Sequence, residues 1–194
     1  MVSLDVFSVG TKDVRWPAPV WQKVWLGLLV AVTALATGVF ACITPLVAAA
    51  ALCAVTLSRR DALIGVAAVW LGNQMIGYGI AGYPVNADSL SWGAAIGIAA
   101  LAATFIAGEV VAKFRAAPLR LLAAFIAAFA VYEVLLAGVA VVLGGLETFA
   151  PAIVFYFAGI NAIWALAFAL GYLLLAEVAG TRASPQIPSP LAGV

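Results

Sequence analysis

Six long apolar runs, separated by short polar connections, constrain this chain more than any other feature of its sequence. The runs extend from Val24 to Ile43, Pro45 to Leu57, Ala62 to Gly82, Leu90 to Val111, Leu119 to Leu143 and Ala152 to Ala176. A spanning helix needs about 20 mostly apolar residues to cross about 30 Å of hydrocarbon. The pattern therefore predicts an all-α integral membrane protein, a bundle of six transmembrane helices. The second run is the short one, about 13 residues from Pro45 through Leu57, and it can cross by borrowing Cys42 to Thr44, by local thinning of the bilayer, or by being shielded within the bundle.

The cations test this count. Lys12, Arg15 and Lys23 precede helix 1, Arg59 and Arg60 join helices 2 and 3, Lys113, Arg115 and Arg120 join helices 4 and 5, and Arg182 follows helix 6. With six crossings, all nine fall on one side, which the positive-inside rule makes the cytoplasm, with both termini there. Removing the short second crossing would scatter them to both sides. The external connections, Ala41 to Thr44, Tyr83 to Ser89 and Gly144 to Pro151, carry only Asp88 and Glu147. Residues 1–23 then form a cytoplasmic and interfacial segment whose Trp16 and Trp21, with Trp25 at the start of helix 1, suit the headgroup level. Residues 24–176 form the transmembrane domain, and 177–194, with Pro185, Pro188 and Pro190, a disordered cytoplasmic tail. The expected location is the bacterial inner membrane.

Composition narrows the chemistry. Hydrophobic residues make up 66% of the chain and charged ones 9%, against about 25% charged in a soluble domain. There is no histidine, which excludes histidine-ligated zinc and haem and every histidine-based triad. A net charge of +1 offers no basic surface for nucleic acid. Phosphate-binding glycine loops, paired catalytic carboxylates and an activated nucleophile are missing from the sequence as well, so neither enzymatic activity nor a cofactor or metal is expected.

Polar groups inside the apolar runs are the candidate site residues, because they are costly in lipid unless they face a cavity, a partner or the bundle interior. Asn73 and Gln74 lie mid-helix 3, Glu133 mid-helix 5 and Asn161 mid-helix 6. Trp70, Gln74 and Tyr78 share one stripe of helix 3 that runs outward into Asn86, Asp88 and Trp92. Aromatic walls with a few orienting polar groups are the mixture that binds small molecules, and these residues are expected to line one externally open cavity, the 3/4 connection acting as a lid. Interhelical hydrogen bonds and an asparagine-capped loop are the alternative. Glu133 has no cation near it in sequence and is either a neutral acid joining two helices or a ligand or proton group. Glu109 has Lys113 at i+4 or the headgroups within reach. Gly93 and Gly97, and Ala95, Ala99, Ala103 and Ala107, form small-residue rows that permit close helix approach.

Six helices, both termini inside, short external connections and a polar, aromatic external half resemble the substrate-binding S components of energy-coupling-factor vitamin transporters. The likeness is architectural and covers Val24 to Ala176. It implies uptake of a vitamin or cofactor precursor, with an energising transporter module as partner. Such proteins dock on that module through an Ala-x-x-x-Ala patch on helix 1, where this chain has Ala34 and Gly38. Solitary cobalamin-uptake members work without the module, and some bind cobalt through a cysteine, which brings in Cys42 and Cys53. The aromatics from Trp70 to Trp92 suit a corrin or a thiamin-sized ring. Two other readings stand beside transport of a substrate: a non-catalytic accessory or assembly subunit of a larger membrane complex, and a proton-coupled exporter using Glu133.

Overall fold

A computed structural model describes residues 19–40 and 44–182, all helix and turn, without a strand among them. The expected interfacial segment before residue 19, Cys42 and the tail beyond 182 lie outside the described residues. Six helices follow one another: α1 (Pro19–Phe40), α2 (Leu46–Thr56), α3 (Arg59–Gly79), α4 (Ala87–Val111), α5 (Ala117–Leu143) and α6 (Pro151–Arg182), with a 3-10 turn at Leu146–Phe149.

Local chemistry sets these boundaries. Ser58 caps α3, accepting from the Asp61 amide at 3.3 Å and donating to the Asp61 carboxylate at 2.5 Å. The side-chain cap fixes the start of α3 directly after the end of α2. Asn86 caps α4 by accepting from Ser89 N–H at 2.9 Å. Pro118 lies in the first turn of α5, where its missing N–H costs nothing. Gly144 and Gly145 both take positive φ, 90° and 94°, and turn the chain sharply into the 3-10 segment before α6. α6 continues as helix through Arg182, six residues past the Ala176 limit of the apolar run.

The architecture is a ring around a short axle. α2 touches all five other helices, and these touch each other in the order α1, α3, α4, α5, α6 and back to α1, with sparser seams on either side of α6. Val47 to Cys53 have no accessible surface at all, so this short segment is enclosed by the other helices. Its 11 residues rise only about 16 Å, so α2 covers roughly half a hydrocarbon thickness. The alanines of α2 let the ring close tightly. Ala99, Ala103 and Ala107 of α4 and Ala124 and Ala128 of α5 are likewise buried, one small-residue row on each neighbour. Trp25 ties α1 to the axle, its indole N–H donating to Thr56 Oγ1 at 3.0 Å and its ring meeting Tyr172 of α6 edge-on at 5.5 Å.

Three helices, Ala87–Val111, Pro118–Leu143 and Pro151–Gly180, are long and apolar enough to cross a membrane. Their outward faces carry Ile98, Ile126, Val134, Ile163 and Leu170, each more than half exposed. So continuous an apolar surface is compatible with contact to lipid chains.

Candidate functional site

The candidate residues fall into three places. Most lie in the seam between α3 and α4. Trp70 donates its indole N–H to the Gly93 carbonyl at 2.9 Å, and its ring lies where a side chain at Gly97 would begin: a Cβ there would stand 2.5 Å from Trp70 Cε2. One turn on, the Gln74 amide oxygen occupies the same position over Gly93. Tyr78 donates to the Ser89 carbonyl at 2.8 Å and meets Tyr83 edge-on at 6.2 Å, and Tyr83 covers Gly77. Glycine spacing on each helix thus receives aromatic and amide groups, from the opposite helix at Gly93 and Gly97 and from the loop at Gly77. Asn86 is spent on the α4 cap, Asp88 is exposed in the first turn of α4, and Trp92 is half-buried beside Gly145 of the 5/6 connection.

A second group gathers at the N-terminus of α2. Pro45 precedes that helix and makes no side-chain cap. Asn161, 0% exposed, reaches across from α6 instead: its Oδ1 accepts from Ala48 N–H at 3.3 Å, and its Nδ2 donates to the Phe157 carbonyl at 3.1 Å. Asn73 of α3 donates to the Thr44 hydroxyl at the same end of α2. Asn161 therefore satisfies one N–H of a helix start held inside the bundle, where an unpaired N–H is costly, while Asn73 ties α3 to the residue just before that start. Thr44, one residue before Pro45, is the partner that sequence reading missed; Thr-Pro ahead of an apolar run is the signal that marks it.

Glu133 stands apart from both groups. It lines a cleft of about 290 Å³ between α5 and α6, roofed by Thr148 and Phe149 of the 3-10 turn. Tyr132, Tyr156 and Phe157 share the lining. Phe157 stacks on Tyr132 at 6.3 Å within that lining, and behind it Phe129, 6.2 Å from Phe157, stacks on Phe125 at 6.1 Å. Among the described residues the Glu133 carboxyl has neither a hydrogen-bond partner nor a cation. Tyr156 escaped the sequence reading, and Phe157 was readable there only as a companion of Asn161, because nothing in the local pattern of α6 distinguishes the side facing α5 from the side facing outward.

A larger cavity, about 460 Å³, opens at the opposite end, between the start of α3 and the end of α4. Glu109 reaches Arg59 there, at 3.1 Å, where the local pattern offered Lys113. Neither cavity is lined by Trp70, Asn73, Gln74, Tyr78, Asn86, Asp88, Trp92 or Asn161. Among the described residues no cluster of cysteine, aspartate and glutamate is arranged to hold a metal ion, and Cys53 is a buried thiol in the wall of α2. No protein-family model, curated protein or solved structure matches the chain.

Proposed function

We propose that this is a polytopic membrane protein of six crossings, with both termini in the cytoplasm, that binds a small organic substrate for uptake in the cleft between α5 and α6. One observation carries the reading: a carboxyl placed halfway along an apolar helix faces an aromatic cleft and has no partner among the described residues. A charge or hydrogen-bonding group at that depth is costly, and a ligand that brings an N–H or cationic group would offset the cost. Tyr132 and Phe157 supply flat walls for a ring, and the 3-10 turn closes the cleft from the side assigned as external. Small-molecule pockets run from about 300 to 1,000 Å³, so a cleft of about 290 Å³ favours a one- or two-ring molecule over a corrin. This accords with the resemblance to vitamin-binding S components and directs it toward the smaller substrates.

The test is identification of small molecules that copurify with the full chain in mild detergent, followed by calorimetry with the molecule found. Glu133→Gln keeps the shape and a donor, so folding should be unchanged while affinity falls about tenfold or more, the loss of one charge-assisted hydrogen bond. Unchanged affinity in a well-folded Gln variant would remove Glu133 from the site. A second reading, a non-catalytic subunit of a larger membrane complex, is favoured by the use of Trp70, Asn73, Tyr78 and Asn161 in internal hydrogen bonds. Copurification of other membrane chains in fixed proportion, with no small molecule, is the result that reading expects.

A further inference from the structure

The cavity at the cation-bearing end has a lining unlike that of the Glu133 cleft. Ala54 of α2 and Leu57 just after it form its floor, Leu63 of α3 and Phe105 of α4 its apolar sides, and Arg59, Glu109 and Arg120 its charges. Arg120, in the first turns of α5, is only 5% exposed, and Tyr172 of α6 lies within electrostatic reach of it. Arg59 sits at the mouth, its side chain 57% exposed, spanning from α3 to Glu109 and placing its guanidinium 3.9 Å from the centre of the Phe105 ring. Two guanidinium groups and one carboxylate leave the lining with a net positive charge, and Arg60, Lys113 and Arg115 are exposed at the same end of the bundle.

We propose that this cavity binds the phosphate group of an amphiphilic phosphate ester, held between Arg59 and Arg120, with the apolar part of the ligand against Leu57, Leu63 and Phe105. Three physical points lead there. Two guanidinium groups against one carboxylate give the cavity lining an excess positive charge, which favours an anionic ligand. The planar donor fork of a guanidinium matches phosphate oxygens two at a time. Basic pockets between helices at the cytoplasmic boundary are where phospholipid headgroups bind, and the charged mouth over an apolar floor has the polarity of such a molecule. The proposal needs the bilayer placement given above but not the α5/α6 cleft, and no residue of that cleft enters its test.

The full chain, purified in mild detergent, is exposed to an equal mixture of phosphatidylglycerol and phosphatidylcholine, and the retained lipid is read by native mass spectrometry. Phosphatidylglycerol should be retained preferentially. Arg59→Gln should reduce that preference about tenfold, as expected for one charge-assisted hydrogen bond, while the exposed Arg60→Gln leaves it unchanged. Arg59 is chosen because its loss from an exposed pair costs little stability; Arg120→Gln is the stronger variant wherever it folds. Inorganic phosphate is added in a parallel arm. Displacement of the lipid by millimolar phosphate, in wild type and not in Arg59→Gln, would assign the site to a soluble phosphate ester, and failure to displace assigns it to lipid. Equal retention of both lipids, or an Arg60→Gln variant that loses as much as Arg59→Gln, overturns the proposal.

Discussion

Adding a single methyl group at Gly97 tests the α3/α4 seam most directly. In an unconstrained helix interior, Gly→Ala is favourable by about 1 kcal/mol, because alanine has less backbone freedom to lose. At Gly97 the new Cβ would stand 2.5 Å from Trp70 Cε2 and 2.8 Å from Cδ2 and Nε1. Those atoms belong to a rigid ring, so relief requires moving the indole and weakening its 2.9 Å hydrogen bond to Gly93. Overpacking of this kind costs about 1–3 kcal/mol and the lost hydrogen bond about 1 kcal/mol more. The net expectation for Gly97→Ala is a destabilisation of about 1–3 kcal/mol, or roughly 2–4 °C of melting temperature per kcal/mol for a chain of this size. Gly108, on the same helix, has open space where its Cβ would go, and Gly108→Ala should be neutral or slightly stabilising. The two variants are compared side by side by heating in detergent and following the monodisperse fraction on size-exclusion chromatography. Replacing Trp70 by leucine in the Gly97→Ala background should recover part of the loss, a non-additivity expected only for groups in contact. Equal melting temperatures for Gly97→Ala and Gly108→Ala would refute the close approach of α3 and α4.

Three further outcomes follow from the fold. Reporter fusions after Arg60 and after Arg115 should read cytoplasmic and those at Asn86 and Glu147 external; an external signal at Arg60 would break the six-crossing arrangement. Asn161→Ala should lower detergent stability by about 1–3 kcal/mol, since it leaves the buried Ala48 N–H without its acceptor, and a melting temperature within error of wild type would contradict that role. Asn86→Ala should cost about 1 kcal/mol through loss of the α4 cap, while Asn86→Asp, which keeps an acceptor, should stay close to wild type in the same melting assay.

Much of the helical framework was legible because long apolar runs bounded by polar and turn-forming residues mark helices directly. The expected second helix, Pro45 to Leu57, is within a residue of α2 at either end, and helices 4 and 5 were located to within a few residues. What the sequence could not convey is which side of each helix meets which neighbour. In a chain so rich in alanine, leucine and valine, inner and outer faces have nearly the same polarity, so periodicity carries little direction. Asn161 looked as suited to a ligand as to a neighbouring helix until α2 was seen to present Ala48 N–H to it. Glu109 was matched to Lys113 by local spacing, whereas its partner, Arg59, is brought by the turn between α2 and α3. The Gly93 and Gly97 row was readable as a site of close approach, but not that Trp70 and Gln74 would be the groups to fill it.

The enclosure of α2 also bears on the order in which the protein is made. Emerging from the ribosome after α1, this segment is too short to reach across the bilayer unaided, and the acceptor for its Ala48 N–H is supplied by a residue 113 positions later. The α1–α2 pair therefore cannot reach its final hydrogen bonding when it is synthesised, because the acceptor at the start of α2 arrives only with α6. A nascent chain halted after α5 would carry every cation from Lys12 to Arg120 and still lack the contact that secures its central helix. Such an intermediate would hold its central helix with one N–H still lacking its acceptor.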